Sequence, residues 1–86
     1  MSRRIALVTG STSGIGWGIA QALAADGCDL MLHGLGEPAA IGRLVRELED
    51  RHGARAAAHG ADLTVPAEAE RLVEETERLL GPLDIL

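Results

Sequence analysis

The patterned part of the chain begins with Ile5-Ala6-Leu7-Val8, an unbroken apolar run bounded by Arg4 and by Thr9-Gly10. A short run without polar interruption fits a parallel strand covered on both faces. From Gly14 to Asp26 the period changes: Ile15, Ile19 and Leu23 recur every fourth residue, Ala20 and Ala24 lie beside them, and Gly27 follows. This predicts an amphipathic helix closed by a glycine, its apolar side made of Ile15, Ile19 and Leu23 with Ala20 and Ala24 beside them. Cys28 to Leu32 is apolar except for Asp29 and runs into His33-Gly34-Leu35-Gly36, a second strand entering a flexible turn.

The same alternation continues. Between Pro38 and His52, Ile41, Leu44, Val45 and Leu48 fall at helical spacing, Arg43, Arg46, Glu47 and Glu49 take the wet face, and Gly53 closes the segment. Ala54 to Gly60 is Ala-rich and has weak strand propensity, so its reading as a third strand rests on the βαβα rhythm. Thr64 is placed to cap a third helix, with Pro66 in its first turn and Leu72, Val73, Thr76, Leu79 and Leu80 as its inner stripe. After Gly81-Pro82, Leu83-Asp84-Ile85-Leu86 begins a fourth strand, inside which the sequence stops. Strands and helices in this order predict an α/β fold, a doubly wound parallel sheet of order 3-2-1-4 with right-handed crossovers.

The first strand-to-helix turn reads Thr9-Gly10-Ser11-Thr12-Ser13-Gly14-Ile15-Gly16. A helix N-terminus presents free N–H groups and the positive end of its dipole, which suits the pyrophosphate of a dinucleotide. Gly10 allows the sharp exit from the strand, Gly14 lets backbone approach the phosphates, and Gly16 permits close packing. Ser11, Thr12 and Ser13 offer hydroxyl donors. Glycine turns also serve structural ends, but this one follows a buried strand and opens an amphipathic helix, the context that favours nucleotide binding. A P-loop is excluded because no Gly-Lys-Ser/Thr ending is present.

Composition narrows the field. A net charge of −5 argues against nucleic acid or an anionic membrane as partner. No apolar run approaches the length of a membrane span, and the stretch after Met1-Ser2-Arg3-Arg4 is too short and too soon interrupted for a signal peptide. Cys28, the single cysteine, reads as a small buried apolar residue and fits a reducing, cytoplasmic setting. His33, His52 and His59 lie in separate elements without metal-ligand spacing, so they read as turn or surface histidines and no metal site is expected. The run Glu68, Glu70, Glu74, Glu75, Glu77 reads as a solvated helix face paired in part with Arg71 and Arg78, and Trp17 as a packing residue.

The spacing Thr-Gly-x-x-x-Gly-x-Gly at Thr9, Gly10, Gly14 and Gly16 resembles the short-chain dehydrogenase/reductase family, and the resemblance runs the length of the chain. It implies a Rossmann-like domain of which residues 1–86 are the N-terminal part. It also implies that the carboxylate of Asp62 binds the adenine amino group while the backbone at Leu63 supports the ring. The runs Val8 to Gly16, His33-Gly34-Leu35-Gly36 and Gly60-Ala61-Asp62-Leu63 are most similar to the bacterial 3-hydroxybutyrate dehydrogenases. Leu35 then stands where an aromatic would flank the adenosine. The family's acidic, ribose-binding position falls on Gly34, so neither the carboxylate typical of NAD binders nor the arginine typical of NADP binders is present there. Ser13 and the absence of arginine between Cys28 and Arg43 lean toward NAD over NADP.

The family's catalytic tyrosine and lysine have no counterpart, because all eight basic residues are arginine and tyrosine is absent. The resemblance therefore implies a cofactor-binding portion without catalytic residues, inactive by itself, from a parent acting on a small hydroxy acid or ketone. Such parents are usually homotetramers or homodimers, and the open sheet edges predict self-association. A free-standing nucleotide-binding module and an inert remnant are the alternatives.

Overall fold

The structure is a computed structural model that describes residues 3–85, so Met1, Ser2 and Leu86 lie outside it. Its elements are β1 (Arg4–Val8), α1 (Gly14–Ala25), β2 (Cys28–His33), α2 (Pro38–His52), β3 (Ala56–His59) and α3 (Pro66–Leu79). β1 and β3 both pair in parallel with β2, which lies between them, with Ala6 opposite Leu30 and Leu32 opposite Ala58. Every residue of β2 is buried, as its near-continuous apolar run requires of a central parallel strand. Ile85 forms a parallel bridge to Ala6, on the side of β1 away from β2, which gives the order 3-2-1-4 with the fourth strand represented by that bridge.

Alternation along the strands splits the core in two. Ala6, Leu30 and Leu32 point to one face and pack with Ala20 and Ala24 of α1 and Leu48 of α2. Ile5, Leu7 and Met31 point to the other and pack with Leu72 and Leu80. Each fully buried leucine contributes roughly 1.5–3 kcal/mol through the water-exposed surface it removes.

The helix stripes differ from those expected. Ile15 is 84% exposed and Ile19 48% exposed, whereas Ala20 and Ala24 are buried. One residue is about 100° of helical turn, so the contact face lies one step round from the predicted stripe. The small alanines let α1 come close to the sheet, and the larger Leu23 and Trp17 pack at the margin. In α3 the buried line is Leu72 and Thr76, continuing to Leu80 just past the helix, and Leu79 is exposed. Thr64 is not the cap of α3, since Val65 occupies that position without a side-chain cap hydrogen bond. Thr64 instead donates its N–H and its hydroxyl to Asp62 Oδ1, at 3.0 and 2.6 Å.

At the end of the sheet where the strands begin, Asp29 is buried and takes Arg3 Nε at 2.6 Å, with the backbone N–H and Nε of Arg55 at 2.9 and 3.1 Å. Arg55 also donates to the Leu80 carbonyl and Arg3 to that of Cys28. Burial alone would raise the Asp29 carboxyl, but the Arg55 N–H and the two guanidinium groups outweigh it and hold the group below the ordinary range. The outer edge of β1 is partly occupied here too: Asp84 and Ile85 donate their N–H groups to the Ile5 carbonyl, and Leu7 donates to Ile85.

Candidate functional site at the carboxyl ends of the strands

The opposite end of the sheet gathers three loops: residues 9–13 after β1, 34–37 after β2 and 60–65 after β3. In an open parallel sheet this is the end where ligands bind. Gly10 and Gly14 adopt left-handed backbone, with φ of 61° and 57°, so both need glycine. Gly16 needs it for space, because a Cβ there would fall on the carbonyl oxygen of Gly10. The conflict lies within the turn itself, so Gly16 lets the first coil of α1 fold back against the exit of β1.

Ser13 is the extended N-cap of α1 and makes no side-chain cap, and the first turn contains no acidic residue. The positive end of α1 is therefore not neutralised by its own sequence. Ser13, Gly14 and Ile15 are all exposed around it. Ser11 is arranged otherwise: it is fully buried, donates its N–H to the His33 carbonyl at 2.7 Å, and accepts the His33 N–H on Oγ at 2.9 Å. Its hydroxyl holds the turn to β2 and is not presented outward. Thr12 leans the same way, its Oγ1 3.4 Å from the Leu35 carbonyl.

Gly34 is buried and donates its N–H to the His59 carbonyl. A Cβ on Gly34 would fall on the hydroxyl of Thr12, so any side chain at this position meets a threonine side chain that already stands there. Leu35 is 82% exposed and Leu63 is 42% exposed. Beside Leu35 a cleft runs between α2 and β3, its lining including Gly34, Ile41, Val45, Arg46, Ala58 and Gly60. Asp62 is exposed at the third loop, and the two hydrogen bonds from Thr64, hydroxyl first and N–H second, hold its carboxyl below the ordinary range. Its own N–H is taken by Glu68 Oε1 at 3.0 Å, so one member of the acidic run closes this loop.

His33 departs most from the sequence expectation. As the last residue of β2 it is 9% exposed, with Nδ1 3.2 Å from the Gly10 N–H nitrogen and Nε2 2.8 Å from the Ala61 carbonyl oxygen. Its position directly before the first glycine of the second loop was the only signal in the sequence. Among the described residues no group of three or more His, Cys, Asp or Glu is placed to hold a metal ion. No helix there is long and apolar enough to cross a membrane.

Comparison with known proteins places this arrangement. The chain is 41% identical over 86 residues to D-beta-hydroxybutyrate dehydrogenase of Cupriavidus necator, covering all of this chain and 33% of that protein. It is 36% identical over 83 residues to the D-beta-hydroxybutyrate dehydrogenase of Rhizobium meliloti, covering 96% of this chain and 32% of that protein. The chain thus spans about a third of the length of these relatives. Among solved structures, one described as a short-chain dehydrogenase/reductase from Sinorhizobium meliloti superposes with a TM-score of 0.91 at 35% identity, over 99% of this chain and 39% of that one. A blue fluorescent protein from a metagenomic library, in complex with NADPH, superposes with a TM-score of 0.87 at 39% identity, over 95% of this chain and 34% of that one. The short chain dehydrogenase family model matches residues 4–86, and with the glycine turn, the 3-2-1-4 order and these likenesses the chain belongs to the short-chain dehydrogenase/reductase family.

Proposed function

We propose that the chain supplies the phosphate- and adenine-binding side of an NAD-dependent oxidoreductase of the 3-hydroxybutyrate dehydrogenase type. The observation that carries this reading is the glycine turn, left-handed at Gly10 and Gly14 and opening onto an N-terminus of α1 that no side chain caps. The pyrophosphate meets the backbone of Gly14, Ile15 and Gly16 with Ser13 and Thr12 beside it. Adenosine lies beside Leu35 with the backbone at Leu63 supporting the ring, and Asp62 receives the adenine amino group. Asp62 is suited to that contact because its carboxyl is held ionised and only Oδ1 is engaged by Thr64.

Preference for NAD rests on Ser13 and on the absence of arginine between Cys28 and Arg43, which leaves the loop after β2 without a cation to meet a 2′-phosphate. The structural neighbour that carries NADPH makes this the point to test. The acid/base chemistry lies outside these residues, which include neither tyrosine nor lysine, so the 86-residue chain binds without turning over 3-hydroxybutyrate. A cytoplasmic setting, with Cys28 reduced and buried, belongs to the same reading. So does self-association, favoured by the half-exposed Ile19 beside Ile85 at the outer edge of β1. Titration calorimetry with NAD+ and NADP+ tests the reading, and NAD+ is expected to bind about tenfold more tightly. Absence of heat with both ligands on folded chain overturns cofactor binding, and tighter NADP+ binding overturns the preference alone.

A further inference from the structure

His33 joins two loops that no other side-chain hydrogen bond joins among the described residues. One ring nitrogen faces the Gly10 N–H, which only donates, and the other faces the Ala61 carbonyl, which only accepts. Both contacts are satisfied by a single form of the ring, the neutral imidazole with its proton on Nε2. The main chain of the same residue grips Ser11 through its N–H and its carbonyl. One residue at the end of β2 thus ties down the start of the glycine turn and the residue before Asp62.

We propose that His33 is a positioning residue of the dinucleotide site, an imidazole brace that fixes the spacing between the phosphate-side turn and the adenine-side loop. The inference rests on the dinucleotide reading above and adds a residue that contacts no ligand. A dinucleotide reaching from α1 to Asp62 meets both loops at once, so their separation enters the affinity directly. Loops left loose must be ordered by the ligand, and that ordering is subtracted from binding. Gly10 is held by the ring at 3.2 Å, Ala61 at 2.8 Å, and β2, buried throughout, provides a rigid base between them.

The test has two parts, both on the 86-residue chain. Long-range 15N–1H spectra without ligand are expected to show His33 with a bare Nδ1 and a protonated Nε2; the opposite tautomer, or averaging between the two, overturns the brace. Affinity for NAD+ and for ADP-ribose is then measured by calorimetry on His33→Leu, His33→Asn and His52→Asn, at a temperature where circular dichroism shows each folded. His33→Leu loses both contacts and is expected to bind about 30-fold more weakly. His33→Asn, whose Oδ1 still accepts the Gly10 N–H but is too short for Ala61, recovers part of that loss, and His52→Asn matches the parent. Folded His33→Leu binding as the parent does overturns the positioning role, and the ligand-free spectrum remains decisive if that variant does not fold. Failure of the parent chain to bind either dinucleotide refutes the dinucleotide reading and the positioning role together, while the spectrum separately decides whether the brace exists.

Discussion

The two ends of the sheet solve opposite problems with different materials. Where the strands begin, side-chain charge does the work: Asp29 is sealed beneath Arg3 and Arg55, and these arginines reach on to the carbonyls of Cys28 and Leu80. Where the strands end, glycines and backbone N–H groups dominate, leucines stand in solvent, and the ring of His33 is the side-chain tie between loops. A buried carboxylate held by several charge-assisted hydrogen bonds penalises any partial opening, because Asp29 left unpaired in the interior is costly, while its arginines reach solvent. An open helix end leaves its N–H donors for something outside the chain. Paired side-chain charge is thus concentrated at one end of the strands and uncapped backbone donors at the other.

The sharpest way to break this division is Gly16→Val, which forces a branched side chain onto the Gly10 carbonyl. Dinucleotide affinity is expected to fall by about 100-fold or more, from an overpacking cost of roughly 1–3 kcal/mol together with the displaced turn. Calorimetry checks it, and binding within threefold of the parent would sink the steric account. The complementary change is Asp29→Asn, which leaves two arginines facing a neutral amide and is expected to cost roughly 2–3 kcal/mol in urea unfolding, while the folded fraction binds dinucleotide as before.

That substitution also predicts a change with pH. The Asp29 carboxyl is lowered by folding, so its stabilisation is fully present above the unfolded carboxylate's range and is lost as pH falls through the lower folded value. Asp29→Asn should remove this part of the acid limb of the stability curve, and an unchanged limb would assign acid unfolding to other groups. Smallest of all is Arg78→Ala, which removes an exposed pair to Glu75 three residues earlier on α3. The thermal midpoint is expected to move by less than about 1 °C, since solvent screens such pairs.

The division between the ends was only half legible in the sequence. The strands, the helices and the glycine turn follow from local rules, namely apolar runs of strand length, helical spacing and glycines where φ must be positive, and the strand order from the doubly wound pattern their alternation implies. The stripe of α1 did not follow, because Ile15 and Ile19 outrank alanine in hydrophobicity while close approach to the sheet selects the alanines. Asp29 read as an interruption of an apolar run. Its partners lie 26 residues away in both directions, a distance across which no periodicity carries information. His33 was unreadable for the same reason, since its ring meets Gly10 and Ala61, 23 and 28 residues away. Thr64 had the identity of a cap but faces Asp62, whose carboxylate competes for its N–H and hydroxyl.

The overlap between Thr12 and any side chain grown from Gly34 constrains how this site can change its ligand over time. On the dinucleotide reading proposed above, an acidic residue at 34 is the direct route to a firmer grip on a ribose, and it collides with Thr12 if it arises first. Shortening of the residue at 12 opens the room, so the two substitutions have an order, and the productive path runs through an intermediate with less to hold the loop after β2. Directed evolution started from this chain should fix changes at position 12 before any at position 34.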